Sequence, residues 1–327
     1  MIDTATLRET GAYLLAQGRV RLLLHKHPDG DVLGSCLGLA RFLGARGVDV
    51  AVFGPFERSV KFNFLAGFDA IEDGREEVRN PAFADTLYVV VDSTGLDRTG
   101  FADGDFQRLL RIDHHIGGSE YDPRDLKDTS YGATALLIAD LLRALDEDAI
   151  DAELATCLYT GLMTDTGGFR YTNTDAHVFR SASFLAERGA RPAEIAGFVH
   201  ERRDPVYLLL MRRALESLEF HEGHRVAALV LTPDGLPDEA LTLFGEDDFI
   251  NLPRSLEPVE VVVQFKQTLD GEWKVGFRGK GNVNVQAVAL HFGGGGHFSA
   301  SGCEMTGTLD DIKSKVLQRV RQALHEV

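Results

Sequence analysis

The chain has 327 residues, with 50 Asp and Glu against 34 Lys and Arg, and a formal net charge of −16 at pH 7. Its length favours two domains over one oversized core, and a balance of 44% hydrophobic and 26% charged residues excludes a disordered chain. The negative charge argues against a long, non-specific nucleic-acid track, because such binding depends on many Lys and Arg displacing counterions from phosphates. A small anionic ligand held by a few local cations stays open.

In chain order, residues 20–24 predict a strand, 32–43 a helix with small residues between its apolar positions, and the stretch to about 53 a second strand. The run 87–91 is a further strand ending at Asp92, and 108–112 another ending at Asp113, His114 and His115. These runs are continuously apolar, which predicts a mainly parallel sheet covered by helices, an α/β domain. In such a sheet, ligands gather beyond the carboxyl ends of the strands. Thr129 or Ser130 is the expected cap of a helix running to about 145, and residues 151–162 form a helix that delivers Asp165 into a Gly167-Gly168 turn. Residues 195–218 read as helical with a break at Pro205 and carry the connection between domains. Beyond residue 222, strands at 225–231, 259–268 and 273–277 and helices at 283–292 and 309–324 predict a smaller α/β unit. The resulting division is 1–190, a helical linker 191–214, and 215–327.

The cysteines Cys36, Cys157 and Cys303 stand apart, so a disulfide framework is not expected. No basic-then-apolar leader opens the chain, and no apolar run approaches the roughly 18 residues that span a bilayer. The expectation is a soluble, cytoplasmic protein with no membrane contact.

Chemistry concentrates at the strand ends. The fragment His25-Lys26-His27-Pro28-Asp29-Gly30-Asp31 places two imidazoles and two carboxylates within one turn, where Pro28 and Gly30 shape the backbone. Taken alone it reads equally as a polar turn capping the next helix, with Asp31 as the cap. Asp92, Asp113-His114-His115 and Asp165 change that balance, since bare carboxylates brought together repel and lose hydration, a cost that bound cations remove. Mixed Asp and His donors favour Mn²⁺, Fe²⁺ or Zn²⁺, with Mg²⁺ as an alternative. Two divalent ions would balance Asp29, Asp31, Asp92 and Asp165. Either His114 or His115 can be a ligand, with the other facing phosphate. Arg278, His115 and His297 are candidate phosphate donors, Arg278 because a planar guanidinium matches two phosphate oxygens. Gly293, Gly294, Gly295 and Gly296 let the backbone approach a ligand closely.

Taken together, His25-x-x-x-Asp29-x-Asp31 with Gly34-Ser35, then Asp92, Asp113-His114-His115, Asp165 and the glycine run before His297 resemble the DHH/DHHA1 phosphoesterases, in their NrnA-like branch. The resemblance implies an N-terminal DHH domain, a helical linker and a smaller C-terminal DHHA1 domain, with the active site in the interdomain cleft. It implies one Mn²⁺ on His25, Asp29 and Asp92 and a second on Asp31, Asp92, His114 and Asp165, Asp92 bridging. Asp113 is then an orienting residue, His115 a contact to the nucleophile or scissile phosphate, and Arg278 and His297 substrate contacts from the second domain. Gly279-Lys280 follow Arg278 where the family more often has Arg-Ser. The implied substrates are very short RNA oligonucleotides, cleaved to nucleoside monophosphates, and 3′-phosphoadenosine 5′-phosphate, cleaved to AMP. The implied assembly is a homodimer. Alternatives are a cyclic or linear dinucleotide phosphodiesterase, a RecJ-like enzyme acting on DNA, a pyrophosphatase, and a nucleotide-binding regulator without turnover.

Overall fold

The structure, a computed structural model, describes residues 1–54, 60–101, 106–237, 249–296 and 298–325. It divides into two compact units, Met1–Arg202 and Arg203–Val327. The first unit contains α1 (Thr4–Leu15), β1 (Arg19–Leu23), α2 (Gly30–Gly44), β2 (Asp49–Phe53), α3 (Arg75–Val78), β3 (Leu87–Val91), β4 (Leu109–Asp113), β5 (Leu126–Lys127), α4 (Thr134–Asp146), α5 (Ala152–Asp165), α6 (Ala176–Glu187) and α7 (Pro192–His200). Its sheet has the order β2-β1-β3-β4-β5 with every pairing parallel. The chain leaves β1 towards one edge and returns at β3 on the other side, so the strand order reverses between β1 and β3. A crevice opens at such a reversal, beyond the strand ends. Residues 25–31 follow β1 and Asp92 follows β3, so both flank it.

Burial explains the continuous apolar runs. All five β3 residues are buried, as are Leu110 and Ile112 on β4, with α2, α4 and α5 forming the main cover. Small residues allow α2 and α5 to pack unusually close. A Cβ on Gly34 would lie 2.2 Å from the Cys157 carbonyl oxygen, and one on Gly30 would lie 2.3 Å from Thr164 Oγ1. The cap of α2 is Asp29 and not, as expected, Asp31, which lies inside the helix: Asp29 accepts from the Asp31 and Val32 N–H groups at 2.9 and 3.1 Å.

The expected start of α4 is corrected. Neither Thr129 nor Ser130 caps it; the helix begins at Thr134, after Ala133, which makes no side-chain cap bond. Ser130 instead bonds the Asp128 carboxylate through both its N–H and its hydroxyl. The free N–H groups of α4 go to a carboxylate brought from α2, described below.

The chain leaves the first unit through α7 and, after the break at residues 201–205, enters α8 (Val206–Glu216) of the second. That unit continues with β6 (Glu219–His221), β7 (Val226–Leu231), α9 (Asn251–Arg254), β8 (Val261–Gln267), β9 (Trp273–Gly279), α10 (Val285–His291), β10 (Gly295–Gly296), β11 (Ala300–Met305) and α11 (Leu309–His325). Its sheet, ordered β10-β11-β9-β8-β7-β6, is mixed: β7 and β8 are parallel and the other pairs antiparallel. Alternate β9 residues Trp273, Val275 and Phe277 pack with Val285, Val288, Val316 and Val320 of α10 and α11, leaving Arg278 on the opposite face.

Candidate metal centre

Five strand and helix ends of the first unit deliver their polar side chains to one place. His25 Nε2 lies 3.9 Å from Asp92 Oδ2, while the other oxygen of Asp92 lies 3.6 Å from His114 Nε2 and 3.7 Å from His115 Nδ1. His114 Nε2 is also 3.7 Å from Asp165 Oδ2 and 3.9 Å from Asp31 Oδ2. Among the described residues three groups have ligand atoms all within 4.8 Å of one another: His25, Asp29 and Asp92; Asp31, His114 and Asp165; and Asp92, His114 and His115. Asp92 belongs to two of them, with one oxygen towards His25 and the other towards His114, which it shares with the third.

Each donor is held by its surroundings. Asp92 has φ of 53°, a left-handed conformation uncommon outside glycine, and it accepts a 2.8 Å hydrogen bond from Thr134 Oγ1. Asp31 accepts from the Thr134 and Ala135 N–H groups at 2.7 and 2.8 Å, so it caps α4 across more than a hundred residues of sequence. His114 Nδ1 lies 3.0 Å from the Tyr131 carbonyl, which turns its Nε2 towards the carboxylates. The Asn173 amide donates to Asp165 Oδ2 at 3.2 Å and to the Gly132 carbonyl at 2.8 Å.

Asp113 is turned elsewhere. It accepts from the guanidinium of Arg111 and, at 2.7 Å, pairs with His115 Nδ1. Arg111 is fully buried, and it also donates to the carbonyls of Ser93, Gly117 and Ser119. The loop after β3 and the loop after β4 are therefore tied to one cation. Sequence reading passed over Arg111, Tyr131, Thr134 and Asn173. Arg111 does carry a signal: a charge inside an apolar strand covered on both faces must be paired.

The electrostatics match this crowding. Burial, reinforced by Asp92, pushes the Asp31 carboxyl up to about 8, and burial pushes Asp165 up to about 7. Asp92 is raised well above the carboxylate range by burial and then by Asp29. Burial opposes charge on His114 too, but Asp165, Asp92 and Asp31 outweigh it and lift that imidazole to about 9. Burial lowers His25, keeping its ring in the neutral form that offers a lone pair. Asp113 moves the other way: burial would raise it, yet His115 and Arg111 hold it below the usual range. Three carboxylates that keep protons near neutrality, Asp31 and Asp92 buried and Asp165 partly so, beside imidazoles at ligand spacing, form a donor set suited to divalent cations, which would replace those protons.

The remaining candidate residues belong to the second unit. Arg278, on β9, donates to the Phe277 carbonyl at 3.0 Å. In the glycine run, Gly293 and Gly294 N–H groups close the end of α10 on the Leu290 and Ala289 carbonyls, while Gly295 and Gly296 pair with β11. A Cβ on Gly294 would lie 2.1 Å from the Gly302 carbonyl, and Gly296 has φ of 133°, so these two positions require glycine. His297 lies outside the described residues.

Comparison with known proteins agrees with this architecture. The family model for the DHH family N-terminal domain matches residues 19–162, and that for the DHHA1 domain matches residues 247–326. The chain is 35% identical to the bifunctional oligoribonuclease and PAP phosphatase NrnA of Thermus thermophilus, over 94% of this chain and 91% of that protein. It is 25% identical to the cyclic-di-AMP phosphodiesterase GdpP of Bacillus subtilis, over 94% of this chain but 47% of that protein. The crystal structure of an exopolyphosphatase-related protein from Bacteroides fragilis superposes with a TM-score of 0.85 at 25% identity, covering 100% of this chain and 97% of the other. With both domain models in order and a relative of this identity along nearly the whole length, the chain belongs to the DHH family, its DHH domain followed by a DHHA1 domain.

Proposed function

We propose that this protein is a metal-dependent phosphoesterase that hydrolyses very short oligoribonucleotides to nucleoside monophosphates and removes the 3′-phosphate of 3′-phosphoadenosine 5′-phosphate to give AMP. The observation that carries the reading is Asp92 facing two Asp/His clusters within ligand reach. Full-length similarity to a bifunctional oligoribonuclease and PAP phosphatase supports the substrate class, and the net charge of −16 agrees with short rather than long nucleic acid.

In this reading His25, Asp29 and Asp92 hold one divalent ion and Asp31, Asp92, His114 and Asp165 the other. Mixed imidazole and carboxylate donors favour Mn²⁺, with Mg²⁺ the alternative. When bound, such ions supply an acidified water and neutralise charge on phosphate oxygens. His115, oriented by Asp113, engages the scissile phosphate or the water that attacks it. Asp113 in turn is kept ionised and in place by Arg111. Arg278, Gly293 to Gly296 and His297 of the second unit bind the substrate phosphate. The protein works as a cytoplasmic homodimer; among the described residues no helix is long and apolar enough to cross a membrane.

A second reading is supported by the similarity to GdpP: hydrolysis of cyclic or linear diadenylate. A panel with Mn²⁺ decides between them, using RNA of two to five nucleotides (roughly the span of a few stacked bases), 3′-phosphoadenosine 5′-phosphate, cyclic-di-AMP and long single-stranded DNA. The proposal expects kcat/KM to be highest on the first two. Highest kcat/KM on cyclic-di-AMP would support the second reading, and preference for long DNA would refute both.

A further inference from the structure

We propose that Thr134 is a positioning residue of the metal centre: by donating its hydroxyl proton to Asp92 Oδ1 it fixes the rotation of the carboxylate that both metal clusters share. This rests on the assignment of Asp92 as a ligand. Thr134 is fully buried, and its Oγ1 lies 2.8 Å from Asp92 Oδ1. Once bound cations displace the proton of Asp92, its carboxylate only accepts, so the Thr134 hydroxyl proton is committed to it.

The rotation matters because the two oxygens face different partners. Oδ1 looks to His114 and His115, and Oδ2 to His25. The torsion that sets them is broad and nearly two-fold in the absence of outside restraint. A swing of the group would spoil donor geometry in both clusters at once. The Thr134 hydrogen bond opposes that swing and occupies one lone pair of Oδ1, leaving the rest of the carboxylate for cations.

The surroundings of Thr134 argue against a space-filling role. Residues 131–135 reach every member of one proposed ligand set. The Tyr131 carbonyl contacts His114, Gly132 reaches Asp165 through Asn173, Thr134 bonds Asp92, and the Thr134 and Ala135 N–H groups bond Asp31. This turn is also tightly fitted: a Cβ on Gly132 would sit 2.5 Å from the Asn173 carbonyl oxygen. Thr134 is the member that extends the grip to the carboxylate shared with the His25 and Asp29 cluster.

The test uses the full chain carrying Thr134→Val, which keeps the side-chain shape without the hydroxyl, with Thr134→Ala as a second hydroxyl-free variant and Thr134→Ser as the conservative one. Mn²⁺ affinity is read by calorimetric titration, separately from turnover of short RNA, and folding by circular dichroism of the metal-free proteins. Loss of an orienting partner outside the ligand set typically weakens metal affinity or activity about 10–100-fold. That loss is expected in Mn²⁺ affinity and kcat for the Val and Ala variants, with KM near wild type and both quantities largely restored by Ser. Wild-type Mn²⁺ affinity in folded Thr134→Val or Thr134→Ala overturns the inference, as does a Ser variant impaired as much as Val. Failure of wild type to bind Mn²⁺ in the same titration would instead overturn the underlying metal assignment.

Discussion

Asp92→Asn should make the metal-free protein more stable while removing its activity, and the sign follows from the buried charges. Asp92 is raised well above the ordinary carboxylate range, so the folded state holds its proton more tightly than the unfolded chain does. Stability from that proton is fully present below the ordinary range and is lost as pH rises towards the raised value. At pH 8 the metal-free wild type has two courses. It can ionise Asp92 within 4.8 Å of Asp29, a repulsion of about 3.5 kcal/mol at an effective dielectric of 20. Alternatively it can keep a proton about four pH units above the unfolded value, which costs roughly 5–6 kcal/mol. The cheaper course still costs about 3.5 kcal/mol, and the neutral amide removes it. For a unit of about two hundred residues this corresponds to a rise in Tm of roughly 7–14 °C. Asn is the informative replacement because it tolerates φ of 53° and still accepts from Thr134, whereas Ala would add backbone strain. Thermal melts in EDTA at pH 4 and pH 8, then with saturating Mn²⁺, measure the effect. The variant should melt higher at pH 8, equal to wild type at pH 4, and lower once Mn²⁺ is present. Turnover should fall at least about 10³-fold, roughly 4 kcal/mol of transition-state stabilisation. A metal-free Asp92→Asn protein no more stable than wild type at pH 8, or one that turns over normally, would refute the reasoning.

Gly34→Ala should destabilise the protein by about 1–3 kcal/mol with or without metal, because its Cβ meets the Cys157 backbone oxygen at 2.2 Å and two helices must separate; an unchanged melting curve would contradict that packing. Arg111→Met leaves Asp113 buried without its cation and should cost about 3–5 kcal/mol in denaturant unfolding. Adding Asp113→Leu should return much of the stability but not the activity, since His115 then lacks its anchor, so recovery of turnover in the double variant would count against the orienting role of Asp113. Arg278→Ala should depress hydrolysis of 3′-phosphoadenosine 5′-phosphate more than that of cyclic-di-AMP, because a terminal monoester carries more charge for the guanidinium to meet; an unaltered ratio of kcat/KM values would remove Arg278 from the phosphate site.

Local chemistry was readable from the amino-acid order. The continuous apolar run of β3, ended by Asp92, announced a strand buried on both faces with a carboxylate at its carboxyl end, and β3 spans Leu87–Val91. The pattern around residue 30 likewise announced α2 but misplaced its cap: Asp29, not Asp31, satisfies the first N–H groups from two and three residues away, while Asp31 turns to α4. Such features depend on neighbours close in the chain, so composition and spacing determine them.

What joins distant segments was decided only by the tertiary structure. Thr129 and Ser130 looked like caps for α4 because a local reading can see only local acceptors, yet the acceptor is Asp31, delivered by the packing of α2 against α4. The same packing turns Thr134, an ordinary residue in a run of small ones, into the partner of Asp92. Likewise Asp113, the last residue of β4, points to Arg111 two residues back on the same strand face, while His114, just past the strand end, points to Asp165. The amino-acid order thus determined which donors the molecule owns, while their orientation and shifted protonation came from burial and hydrogen bonds across more than a hundred residues, which exist only once the sheet and helices have assembled.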